Sequence, residues 1–437
     1  MKISNKIILL LAIAAFNLAC KKERSFELHQ VVVQLEYPQG SALSVVAGVK
    51  VKLTGNGSVF EGLTDAEGKV VLNIPSDVYD IASSETRKIG TNIYNYNALS
   101  SNQVIVNNWK DGDIITMKLQ ESKSSQLVIK EILVGGTPFD SGSSTFNYDG
   151  YIVIYNNSDF PCTTTNLCIT ATGPANAHAT NNFYGTDGKL LYENENYIPA
   201  AGGFWYFTQP LTLQPGAQIV VAFYQAVNNT LTHSKSINFA NPDYYAMYDM
   251  ASTYKNATYY KSPSELIPAT HYLKALSYST GNAWTPGVLS PGLFIFEPKG
   301  ITPAALASDA SYTVNGSYKK IPIDWILDGV ESFLLNNQNS KKRFLSTVDA
   351  GYVYHTNSKG YTVYRNVDKE ATLAIQGNAG KIIYGYNLGT VAIGGSTDAS
   401  DINAEASIKN GARIIYKDSN NSSNDMHLRL KASLSNY

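Results

Sequence analysis

Short stretches of alternating apolar and polar residues, cut by Gly, Asn and Asp turns, set the limits on what this chain can build. Val49-Lys50-Val51-Lys52-Leu53 is the plainest: with a period of two, its apolar side chains share one face of a strand and both lysines the other. Asp65-Ala66-Glu67-Gly68 then reads as a tight turn, Gly68 supplying the permissive backbone, and Val70 to Ile74 as the strand leaving it. Val31 to Leu35, Val78 to Ile81 and Ile114 to Leu119 add further strands. Tyrosine (30 residues) and glycine (33) are abundant and only 16% of the chain is charged. Tyrosine suits half-buried pleated surfaces, so the chain is expected to be mainly β.

The N-terminus has a different character. Lys2 and Lys6 form a basic n-region, Ile7 to Ala15 an apolar h-region, and Phe16-Asn17-Leu18-Ala19-Cys20 a cleavage site. Residues 1–19 read as a lipoprotein signal peptide, too short to persist as a spanning helix, with Cys20 as the first mature residue and the point of lipid attachment. Asn17 departs from the leucine usual three positions before the cysteine. At about 0.8 kcal/mol per buried methylene, several acyl groups would hold the chain on a membrane permanently.

Without Lys2 and Lys6 the chain carries 32 basic and 35 acidic residues, a formal charge of −3. No nucleic-acid partner is expected from that balance, which has no polybasic run. The other cysteines are Cys162 and Cys168. In an oxidising compartment they are expected to close a short disulfide loop, with two buried free thiols as the alternative.

Four segments follow along the chain: the signal peptide 1–19, a charged tether 20–27, a small β-sandwich over 28–120 and, after a polar linker at 121–125, a larger β domain over 126–437. The stretch Gly48 to Gly55 with Thr64-Asp-Ala-Glu-Gly-Lys-Val-Val-Leu-Asn-Ile-Pro75 resembles carboxypeptidase regulatory-like and collagen-adhesin B-type sandwiches, which implies a spacer. In some domains of the second type a lysine forms an isopeptide bond with asparagine. Lys50 or Lys52 could supply the lysine, but Ile114 to Leu119 has no asparagine.

In the larger region, Leu127 to Val134, Tyr151 to Asp159, Leu213 to Ala222 and several later runs read as short strands between long loops, with helix only around Pro263 to Ile267 and Pro303 to Ala310. A second, larger β-sandwich with a few short helices is expected. Ile129-Lys-Glu-Ile132, Tyr151-Ile-Val-Ile-Tyr-Asn-Asn-Ser-Asp159, Leu213 to Ala222, Asp324-Trp-Ile-Leu-Asp-Gly-Val-Glu331, Asp349-Ala-Gly-Tyr-Val-Tyr354 and Asp418-Ser-Asn-Asn-Ser422 resemble a Bacteroidetes lipoprotein family of unknown function with a lamin-tail-like β domain. Tyr364-Arg365-Asn366 departs from the doubly basic pair of that pattern. The resemblance implies an outer-membrane lipoprotein and no chemistry of its own.

Signals for catalysis are missing. No two of His29, His178, His233, His271, His355 and His427 lie within five residues, and neither a nucleophile elbow nor a phosphate loop occurs. No catalytic residue, metal ligand or cofactor is assigned. Asp418 to Asp425 is read as a side-chain-capped turn, since it lacks the glycine and distal glutamate of a calcium loop. In Phe204-Trp205-Tyr206-Phe207 two rings are expected to enter the core and two to face outward. The binding candidates are aromatic: Tyr244, Tyr245 and Tyr259, in loop-like sequence.

The expected function is that of a noncatalytic binding or accessory lipoprotein held by outer-membrane lipid through Cys20. Its expected partners are a nutrient transporter of that membrane and a sugar or peptide ligand. A structural or adhesive surface protein is the alternative, and a hydrolase whose site the sequence does not display is the third. Lys21-Lys22-Glu23-Arg24 leaves open which face of the membrane the chain occupies.

Overall fold

Alternating side-chain burial organises the first strands of the computed structural model. It describes residues 28–436 apart from 42, 44–46, 56, 90–91, 106–108, 111, 143, 287–289, 336, 338 and 391–395. Cys20, the signal and the tether lie outside the described residues. Two compact units emerge: the smaller holds the described residues of Met1–Leu35, Val45–Ala82 and Ser100–Met117, the larger those of Glu36–Ser44, Ser83–Leu99 and Lys118–Tyr437.

In the smaller unit, strand Leu28–Glu36 buries Val31, Val33 and Leu35, and strand Lys50–Gly55 buries Val51 and Leu53 with both lysines exposed. Lys50 pairs with Glu61 at 3.0 Å on the surface. The predicted turn closes as expected: Gly68 has φ +76°, and the Asp65 carboxylate accepts the amides of Glu67 (3.0 Å) and Lys69 (2.8 Å). Leu28–Glu36 lies between Lys69–Pro75 and Ile114–Lys118 in a three-stranded sheet.

A polar linker was expected at 121–125. The structure instead forms strand Gln120–Lys123 there, antiparallel to Tyr94–Asn97. Backbone pairing satisfies its amides whatever the polarity of its side chains.

The larger unit is built on one long sheet. Its path runs from Val353–His355 through Ile326–Leu334, Gly292–Phe296, Cys168–Thr172, Tyr197–Tyr206 and Tyr272–Ser277 to Tyr245–Met247. It continues through Gln218–Ala222, Tyr151–Asn156, Leu127–Leu133 and Thr362–Arg365 to Met426–Arg429. The two end strands pack against each other, so the sheet nearly closes. All twelve strands of the path feed one central core, from Ile129 and Val363 to Trp205, Leu273, Ile295 and Val353. Long loops cover the outer face with three further cores, centred on Phe204 and Phe294, on Tyr151 and Val220, and on Tyr155 and Tyr416. The mainly β expectation is met.

Covering both faces changes two expectations. Phe204 and Tyr206 pack with one core, Trp205 and Phe207 with the other, so alternation holds but no ring is left fully outside. Membership of two different sheets separates the cysteines. Cys162 opens strand Cys162–Thr164, which pairs with Leu211–Leu213, and its thiol enters the central core. Cys168 opens strand Cys168–Thr172, and its thiol enters an outer core and donates to the Asn166 carbonyl (3.2 Å). Both are buried and free, which corrects the expected Cys162–Cys168 disulfide: the side chains serve different cores.

Helix is scarce. Thr302 caps helix Pro303–Ser308 by accepting the Ala305 amide (3.2 Å), with Pro303 in the first turn where its missing N–H costs nothing. Residues Ser264 to Ile267 form only a turn, closed by the Ile267 amide on the Ser264 carbonyl (3.0 Å).

Candidate functional site

A β-bulge puts charge inside the larger unit. Strand Leu127–Leu133 pairs with Tyr151–Asn156 so that Glu131 faces Val153 and Ile129 faces Ile154, which leaves Lys130 without an opposite number. A bulge of this kind redirects side chains. Lys130 and Glu131, both fully buried, lie beside strand Thr362–Arg365, the antiparallel neighbour in the sheet, where Tyr364 faces Glu131.

Lys130 is held in a cage. Its Nζ lies 2.7 Å from Glu405 Oε1 and 2.8 Å from Gln218 Oε1, and 5.7–5.9 Å from the ring centroids of Tyr155, Tyr364 and Tyr416. Such cation–ring contacts are worth about 0.5–2 kcal/mol each when desolvated. Tyr364 donates its hydroxyl to the same Glu405 oxygen (2.6 Å). Burial opposes the charge of Glu405, but Lys130 and this hydrogen bond outweigh it and hold the carboxyl below its ordinary range. Glu131 accepts the amide (2.9 Å) and hydroxyl of Ser433.

On strand Met426–Arg429, His427 faces Tyr364 and Arg429 faces Thr362. The Asn366 amide nitrogen donates to the Asn424 carbonyl (2.8 Å), which turns its oxygen toward His427 Nδ1 (2.7 Å). Nδ1 therefore carries the proton and Nε2 accepts from the Tyr386 hydroxyl. The chain Tyr386–His427–Asn366 looks like an acid–base relay, but its energetics oppose one. Burial and the neighbouring Arg429 push His427 down to about 3, while burial lifts the Tyr386 hydroxyl above its ordinary value. At neutral pH the proton stays on the tyrosine, far from the matched values general acid–base catalysis needs.

Tyr364, Tyr386, Asp398, Ile402, Asn403, Ala404, Glu405 and Arg429 line a shallow recess with no enclosed room for a water molecule. Arg429 is 5% exposed, stacks over Tyr364 at 4.5 Å and leaves its Nε without a hydrogen-bond partner.

The remaining buried charges brace loops. Arg365 bonds Asp328, the Ile129 carbonyl (2.7 Å) and the Lys417 carbonyl (2.9 Å), with Asp418 at 3.5 Å and Asp425 at 4.0 Å. Arg343 binds Glu331 and the carbonyls of Pro174 and Ser290, both at 2.7 Å. Asp349 accepts from Ser422 and from the amides of Glu331 and Gly351, and burial pushes it up to about 6. Asp425 accepts the Ser419 and Asn421 amides (2.8 and 3.1 Å), and Asn421 caps helix Ser422–Asp425: the segment is the capped turn read from sequence.

The predicted binding tyrosines are not brought into this site. Tyr245 stacks on His271 (4.1 Å) beside Phe207, and the carbonyl of the half-buried Tyr244 meets the same histidine at 3.1 Å. Tyr259 joins a separate ring cluster with Tyr148 (5.6 Å) and Tyr224 (5.9 Å). Sequence reasoning missed Lys130, Glu405, His427 and Arg429, which lie up to 299 positions apart. One signal was available: Lys130-Glu131 is an adjacent charged pair inside the apolar run Leu127 to Val134. Among the described residues no His, Cys, Asp or Glu group could hold a metal ion, and no helix is long and apolar enough to cross a membrane.

Fold and site describe a mainly β protein whose buried charges are largely spent on its own loops. Residues 214–385 match the profile of a family described as "Protein of unknown function (DUF4876)". Among solved structures, the chain is similar to the crystal structure of a DUF4876 family protein from Bacteroides thetaiotaomicron VPI-5482, with 20% identity, 91% of this chain and 94% of that chain covered, and a TM-score of 0.49. No curated protein matches.

Proposed function

We propose that this protein is a noncatalytic accessory lipoprotein, held in the outer membrane through Cys20, that binds a sugar or peptide beside a nutrient transporter. In this reading the small N-terminal sandwich, like the carboxypeptidase regulatory-like domains its sequence resembles, is a spacer, and the larger lamin-tail-like unit does the binding. One observation supports a noncatalytic role above the others. The acid–base groups that converge in the larger unit are bonded to one another or to backbone, with His427 and Tyr386 shifted away from neutrality in opposite directions. Tethering supports partnership: confinement to a membrane layer raises the effective concentration of the head toward membrane neighbours, so weak contacts suffice.

The test is extraction of envelopes in mild detergent. The protein is expected to be recovered with an integral outer-membrane protein, and replacement of Tyr244, Tyr245 and Tyr259 by alanine is expected to weaken that recovery while the head stays folded. Recovery of the protein alone under several mild conditions would reject the partnership.

A further inference from the structure

We infer that the recess at Arg429 is the docking point for the carboxylate of a small ligand, a deepening that rests on the binding role proposed above. Arg429 is a buried guanidinium whose Nε has no hydrogen-bond partner; the Tyr364 ring stacks on it and the carboxylates of Glu131 and Glu405 attract it without a direct ion pair among the described residues. Fully buried arginines elsewhere in this unit do the opposite: Arg343 and Arg365 each combine a carboxylate with two backbone carbonyls. Neighbouring carboxylates that attract without bonding leave its donors unused, which is costly for a buried group, and a planar carboxylate is the group that matches a guanidinium edge with two parallel bonds.

The lining is suited to an acceptor-rich visitor. Asn403 spends its side-chain oxygen on the Ala406 amide (3.1 Å), so its amide nitrogen is a second free donor at the recess. The acids of the lining already have hydrogen-bond donors of their own. Asp398 gives its two oxygens to the amides of Val367 (2.7 Å) and Ser400 (2.8 Å), and Glu405 holds Lys130 and Tyr364. The recess as it stands has no enclosed space, so an end group meets Arg429 at its mouth while the body of the ligand stays outside. Sugar acids and amino-acid C-termini both present such an end group.

Calorimetric titration of the full-length protein separates these sources, using galacturonate, N-acetylalanine and, as the ring without a carboxylate, galactose. Galacturonate binding marks a sugar acid, and N-acetylalanine binding marks a peptide end. Either is expected to bind at least tenfold more tightly than galactose. Arg429→Gln is expected to abolish binding. Because that change touches a buried group, Asn403→Asp is the second variant: aspartate caps the Ala406 amide equally well but replaces the free donor with a negative charge, and should weaken binding at least tenfold with an unchanged melting temperature. Galactose binding as tightly as galacturonate, an unaffected Asn403→Asp variant, or no heat from either carboxylate at millimolar concentration would overturn the assignment. Recovery of the protein with a membrane partner can succeed or fail independently of all three.

Discussion

At the scale of single residues, the charges of the larger unit fall into two groups. Lys130, Arg343 and Arg365 hold carboxylates at close range, whereas Asp418 has only a 3.5 Å approach to Arg365 and shares its surroundings with Asp328 and Asp425. Burial, then Asp328, pushes its carboxyl from 3.8 up to about 7. The folded chain therefore keeps a proton that the unfolded chain releases above pH 4, so Asp418 lowers stability progressively as pH rises from about 4 to 7. Asp418→Asn removes this titration. Thermal melts should show the variant gaining on the native protein across that range, with a constant gap above pH 7; a gap independent of pH would contradict the assignment. Arg365 has the larger role. Arg365→Met strands three buried aspartates and should cost about 3–5 kcal/mol in urea unfolding, against less than about 1 for Lys50→Ala at the exposed Lys50–Glu61 pair. Equal effects of the two would deny the buried network its role.

Secondary-structure elements show what could be read without coordinates. The strands around Val51, Val33 and Val70 and the Asp65 to Gly68 turn were legible because one face of each strand is solvent-exposed, so period two survives in the sequence. Leu127–Leu133 and Tyr151–Asn156 are buried on both faces. Their apolar runs announce strands but not which core each side chain enters. The cysteine pair failed because spacing brings Cys162 and Cys168 close along the chain, while they open two strands that belong to different sheets and so enter different cores. Native protein treated with iodoacetamide without reductant should keep both thiols unmodified, and denatured protein should take two labels at these positions. A mass two units lower, with neither thiol reactive after denaturation, would restore the disulfide. The Lys130 bulge was illegible beyond the odd charged pair, because its partners Tyr155, Gln218, Tyr364, Glu405 and Tyr416 are scattered along the chain on separate elements. No local pattern encodes that register.

For the molecule as a whole, the proposed function calls for a lipid anchor and a spacer ahead of the loop-covered β unit, most of whose buried charges brace its own loops. On that proposal, the work of the protein depends on where it is placed more than on chemistry it performs. Placement would then rest on Cys20, since a thioether carrying the lipid requires that thiol. Metabolic labelling of cells with a clickable fatty acid, followed by immunoprecipitation, measures this directly. The native protein should carry label and sediment with the outer membrane, and Cys20→Ser should carry none and leave the outer-membrane fraction; equal labelling of the two proteins, or an unlabelled native protein, would contradict the account.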